Sequence, residues 1–121
     1  MYDCITLTVP AKESALMVVR LTAAGVAARS EMDLETLDDI KTAVYEACYA
    51  MTVQKYVPEQ LAICFSLDEC FSVSVCGQGS WRETDGRVPD VKLCNAVLTT
   101  MIPNVKVEMD QKAIRCIHMH R

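Results

Sequence analysis

A chain of 121 residues, 51% apolar and 23% charged, has the composition of a globular protein able to bury a real core. Its net charge of −4 and scattered Lys and Arg leave no basic patch for neutralising nucleic-acid phosphates. No stretch reaches the roughly 18 uninterrupted apolar residues of a membrane span.

The first segment, "YDCITLTVP", alternates Ile5, Leu7 and Val9 with Thr6 and Thr8 and stops at Pro10, which predicts a half-buried strand. "ESALMVVRLTAAGVAARS" predicts a helix with two apolar stripes, one of Leu16, Val19, Ala23 and Val26, the other of Met17, Leu21, Ala24 and Ala28. Arg20 is the only charge between Ser14 and Arg29. Arg20 and the acidic residues before the run also argue against a signal peptide. A helix so apolar needs deep enclosure or a second chain over its outer face, so a homodimer is expected.

Asp33 is the expected N-cap of a long helix, "LETLDDIKTAVYEACYAMTVQK", limited by Pro58. "QLAICFSL" and "CFSVSVC" alternate as strands and form a hairpin through Asp68-Glu69. "GQGSWRETDGRVPD" reads as a polar loop, "VKLCNAVLTTMI" as a helix closed by Pro103, and "VKVEM" with "AIRCIHMH" as a hairpin turned by "DQK". The order β-α-α-β-β-α-β-β, without repeats or linkers, predicts one α+β domain over residues 1–121. Its architecture is a two-layer sandwich, a mixed, mainly antiparallel sheet covered on one face by helices.

The seven cysteines stand at 4, 48, 64, 70, 76, 94 and 116, with no C-x-x-C pair. Most fall in apolar periodic segments, which predicts unpaired thiols acting as small hydrophobes in a reducing cytoplasm. Cys116, His118 and His120 alternate along one strand face, a soft-ligand set that suits zinc. With no fourth ligand evident, they read instead as a core thiol and two exposed imidazoles, and no metal is expected.

The phrases "VPAKESALMVVRLTAAGVAARSEMDLETLDDIKTAVYEAC" and "VSVCGQG", in this element order, resemble the bacterial anti-sigma-factor serine kinases of the GHKL (Bergerat-fold, histidine-kinase-like) ATPase superfamily. "DDIKTAVYEAC" is similar to the family's N-box helix, in which a general-base Glu is followed four residues on by a magnesium-binding Asn. That spacing puts both side chains on one helix face. Here Glu46 stands at the base position and Ala50, which cannot ligate a metal, at the Asn position. The resemblance makes Gly77 and Gly79 the glycines of an Asp-x-Gly-x-Gly nucleotide loop, with Val75 in the seat of the adenine-reading Asp. The phosphate-wrapping glycine cluster is absent before the third helix, where Gly86 stands alone.

The resemblance therefore implies a catalytically silent anti-sigma-like binding module, with neither ATP nor magnesium as cofactor and Gly77 and Gly79 as a relic of the loop. Its protein partner would be a sigma factor, an anti-sigma antagonist or an intact homologue, met by Arg20. Without metal or nucleotide nearby, Glu46 reads rather as a solvated glutamate near the end of its helix. The alternative is an active ATP-dependent serine kinase with Glu46 as base, Asp85 or Asp90 holding magnesium, and Cys76 or Ser74 contacting adenine. A metal or redox protein built on the cysteines is disfavoured by their spacing.

Overall fold

The computed structural model describes residues 4–67 and 70–121. Strand β1 (Cys4–Pro10) leads through a 3₁₀ turn (Glu13–Ala15) into α1 (Leu16–Ala27) and α2 (Leu34–Val53). Strands β2 (Tyr56–Ser66) and β3 (Ser72–Glu83) precede α3 (Val91–Thr99), and β4 (Asn104–Asp110) and β5 (Ala113–His120) complete the fold. The sheet order is β1-β2-β3-β5-β4, and every strand pair is antiparallel. The expected Asp68-Glu69 turn lies outside the described residues, although Ser66 and Ser72 pair beside it.

Alternation along the strands sorts side chains into two faces. Leu61, Ile63, Phe65, Val73, Val75 and Ile117 are buried beneath the helices, against Ile40, Val44 and Met51 of α2. The other face carries Thr6, Cys64, Ser74, Cys76, Cys116 and His118. In α1 the stripe Leu16, Val19, Ala23 and Val26 is buried, whereas Met17 and Leu21 are 61% and 65% exposed. The second stripe is thus uncovered in the single chain. Asp33 caps α2, its Oδ1 accepting from the Thr36 N–H at 2.7 Å. The Thr36 side chain and N–H together hold the Asp33 carboxyl below its ordinary pKa.

Two boundaries differ from those read off the sequence. Pro58 does not limit α2; the helix ends at Val53 and Pro58 lies inside β2. The first half of the expected loop starting at Gly77 is strand, because Tyr56, Val57 and Pro58 pair with Glu83, Arg82 and Trp81. The pairing passes through a β-bulge. Between the pairs Pro58/Trp81 and Gln60/Gln78, β3 has one residue more than β2, and Gly79 adopts φ 83° there. Gly77 serves packing instead, since a Cβ there would sit 2.5 Å from Trp81 Cζ2 and 2.9 Å from Pro58 Cβ. Its missing side chain is the space into which Trp81 folds, with the Arg115 guanidinium 4.1 Å from the ring centroid on Trp81.

Gly77→Val should therefore displace Trp81 and lower stability by about 1–3 kcal/mol in urea unfolding, the usual range for overpacking. Unchanged stability would show that Trp81 does not depend on the vacant position.

Candidate functional site

The helix α2, the segment after β3 and the start of α3 enclose a cleft of about 670 Å³. Glu46, Tyr49, Ala50 and Val53 line one wall, and Gly86, Arg87, Val88, Pro89 and Asp90 the other. Leu93, Cys94, Val97 and Leu98 of α3 close it, with Gln54 and Ile114 at its base. Mostly apolar lining with a few polar groups is the usual make-up of a binding cleft.

The wall after β3 is held by hydrogen bonds. Lys55 N–H donates to Arg87 O at 2.9 Å, Thr84 N–H to Lys55 O at 2.7 Å, and Gly86 N–H to Thr84 Oγ1 at 3.0 Å. The Thr84 hydroxyl lies within reach of both the Gln54 and Lys55 carbonyls. Gly86 permits this close approach, since a Cβ there would lie 2.5 Å from Val53 O. Gln54 is the buried polar residue at the base; its amide donates to Ile114 O and accepts from Ile114 N–H, at 3.1 and 2.8 Å. This joins the end of α2 to β5.

The sequence-derived site residues separate. Glu46 and Ala50 lie on the cleft wall one helical turn apart, as the N-box resemblance implies. Gly77 and Gly79 do not line the cleft: they lie within β3 rather than in a loop, and β3 carries the chain four residues past Gly79 before it turns. Val75 is fully buried in the core, paired between Ile63 and Ile117. Ser74 and Cys76, the alternative adenine contacts, belong to the opposite sheet face. Asp85 is exposed. Asp90 does reach the cleft, but its Oδ1 caps α3 by accepting from Leu93 N–H at 3.1 Å. Gly86, which sequence reasoning passed over as an isolated glycine, is the one that meets α2. Its only sequence signal was the turn-forming pair Asp85-Gly86.

Arg20 meets α2 outside the cleft lining. Its guanidinium lies 5.7 Å from the Tyr45 ring centroid, and Tyr45 stacks on Tyr49 at 6.4 Å. The uncovered stripe of α1 is therefore linked to the cleft through two tyrosines of α2.

The fold is a two-layer sandwich of the GHKL type. It aligns over 98% of this chain, with TM-score 0.67 and 16% identity, to 32% of the chain in a crystal structure of the RsbU and RsbW domains of Rv1364c from Mycobacterium tuberculosis. In sequence, 70 residues are 34% identical to the serine-protein kinase RsbW of Bacillus cereus strain AH187, and equally to those of Bacillus thuringiensis strain Al Hakam and Bacillus anthracis strain A0248. These matches cover 56% of this chain and 44% of each relative. No family model matches the sequence. The chain thus shares the fold of that structure and is similar in sequence to RsbW serine-protein kinases, spanning less than half the length of those relatives.

Two outcomes test this geometry. Gln54→Ala leaves the Ile114 amide and carbonyl without side-chain partners and should cost about 1–3 kcal/mol by chemical denaturation. Burial pushes the Cys48 thiol up to about 12 and raises that of Cys94 as well. At neutral pH Cys48 should therefore resist alkylation until the protein unfolds, as peptide mass spectrometry would show.

Proposed function

We propose that this chain is a catalytically silent, anti-sigma-like protein-binding module of bacterial transcription regulation. The observation that carries this reading is the chemistry of the cleft. Where the N-box resemblance calls for a magnesium-binding side chain, Ala50 offers only a methyl group. Where a phosphate would meet the free N–H groups of a helix start, the Asp90 carboxylate already occupies the start of α3. A second anion there would face like charge. Magnesium keeps most of its water and relies on one or two protein groups, so the loss at Ala50 leaves few substitutes. Loss of the adenine acceptor alone weakens nucleotide binding by about ten- to a hundredfold. The residues present do not fit Mg-ATP.

The partner-binding surface is the outer stripe of α1. Met17, Val18 and Leu21 are exposed around Arg20, which Tyr45 holds in place. A lone arginine amid apolar surface is a common interface anchor. The partner is a sigma factor, an anti-sigma antagonist or an intact homologue, and the same apolar stripe supports homodimerisation. Among the described residues, no helix is long and apolar enough to cross a membrane.

Isothermal titration with Mg-ATP should give no saturable heat. A micromolar isotherm, or phosphate transfer to a partner serine that Glu46→Gln abolishes, would instead assign the active-kinase reading. In a pull-down against candidate sigma factors and their antagonists, Arg20→Glu should weaken capture at least about tenfold while leaving the circular dichroism spectrum unchanged. Equal capture by the variant would remove α1 as the binding face.

A further inference from the structure

On the sheet face turned away from the helices, β3, β5 and β4 bring together side chains that lie far apart in sequence. Cys76, Cys116 and Glu108 occupy one rung across the three strands, and Ser74, His118 and Lys106 the adjacent rung. The structure pairs Cys76 with Cys116 as a disulfide between β3 and β5. For these two cysteines it corrects the expectation of unpaired thiols. The ligand atoms of Glu108, Cys116 and His118 lie within 4.8 Å of one another. The spacing Cys116, His118, His120 marked the right strand but the wrong partners. Alternate residues of one strand are about 7 Å apart, whereas cross-strand neighbours are about 5 Å apart. His120 sits on the Asn104 rung, its Nδ1 3.0 Å from Arg121 O, and the missing ligands come from β3 and β4.

We propose that, when the disulfide is reduced, Cys76, Cys116, His118 and Glu108 form a zinc site on the open face of the sheet. Two thiolates, an imidazole and a carboxylate make the four-donor set that zinc takes in tetrahedral geometry, and thiolate sulfur disfavours magnesium or calcium. The surroundings are already arranged for it. His118 Nε2 faces Glu108 Oε2 at 3.3 Å, and Nδ1 lies 2.9 Å from Ser74 Oγ. With its proton on Nδ1, the ring donates to Ser74 and presents the Nε2 lone pair to a metal, as ligating histidines commonly do. Lys106 lies 3.8 Å from Glu108 Oε1 and is exposed, so it is readily displaced.

The same Ser74, His118 and Glu108 do not make a hydrolase. Ser74 sits mid-strand in β3, paired with Cys64 on one side and His118 on the other. Its flanking backbone N–H groups serve the two ladders, which leaves no donors for an oxyanion.

The site is gated by redox state. Two equivalents of a cellular monothiol, RSH, deliver two electrons to the Cys76–Cys116 bond, giving two protein thiols and RSSR. Zinc then displaces one proton from each thiol, and both protons pass to solvent. In the oxidised state the sulfurs are bonded to each other and the thiolate pair is gone.

The experiment titrates zinc alone against a chromophoric chelator, using fully reduced and fully oxidised protein. Reduced protein should bind one zinc per chain at high affinity, and cobalt in its place should give thiolate charge-transfer bands with tetrahedral ligand-field absorption. Oxidised protein, Cys76→Ser, Cys116→Ser and His118→Gln should each bind at least about a hundredfold more weakly. Ser74→Ala, which removes only the positioning group, should lose about ten- to a hundredfold. Cys64→Ser, on the same face in β2, should bind as wild type does. The proposal is overturned if reduced wild type takes no zinc, if oxidised protein or His118→Gln binds equally, or if Cys64→Ser loses the site. The cobalt spectrum uses unmodified protein and so remains decisive even if a variant fails to fold.

Discussion

The arrangement rests on the continued pairing of β2 and β3 through the bulge at Gly79. Without that extra residue, the side chains from Trp81 to Glu83 would turn to the opposite face of the sheet. With it, Trp81 to Glu83 find partners in Tyr56 to Pro58, and the chain reaches the C-terminal end of α2 before it turns. Thr84, Lys55 and Arg87 then join the turn to the helix exit by backbone and hydroxyl hydrogen bonds. The cleft wall follows from strand pairing, and so does the short distance left for any lid before α3 begins at Val91.

A wall built this way has consequences for chemistry. The N–H groups of Thr84, Gly86 and Leu93 along it are engaged by Lys55 O, Thr84 Oγ1 and Asp90 Oδ1. Glu46 lines the same cleft from α2, together with Tyr49, Gln54, Arg87, Asp90 and mostly apolar side chains. The fold is shared with the RsbU–RsbW structure, while the cleft is defined by this chain's own residues, in keeping with function residing in sites rather than folds. The exposed stripe of α1, linked through Arg20, Tyr45 and Tyr49, remains as a surface of different character on the same helical layer.

The two faces of the sheet divide the labour. One is filled by Leu61, Ile63, Phe65, Val75 and Ile117 and supplies the core. The other collects sulfur, imidazole, hydroxyl and carboxylate groups in adjacent rungs. A central strand paired on both sides holds such groups in fixed register, and the Cys76–Cys116 disulfide is one product of that register.

Periodicity by itself determined much of this protein: the strand of Ile5, Leu7 and Val9, the buried stripe of α1, the Asp33 cap and the terminal hairpin. These depend on local spacing and capping, which the chain carries within a few residues. The Glu46–Ala50 pair came instead from the N-box resemblance, and its placement one turn apart on α2 is again a local matter. Only the tertiary structure decided that Gly77 and Gly79 belong to a strand, that Gly86 meets α2, and that Cys76 and Glu108 join Cys116 and His118. Each of those outcomes depends on which residue lies opposite which across the sheet. Strand register is set by the summed packing of distant segments, and a single bulge residue changes it for everything beyond.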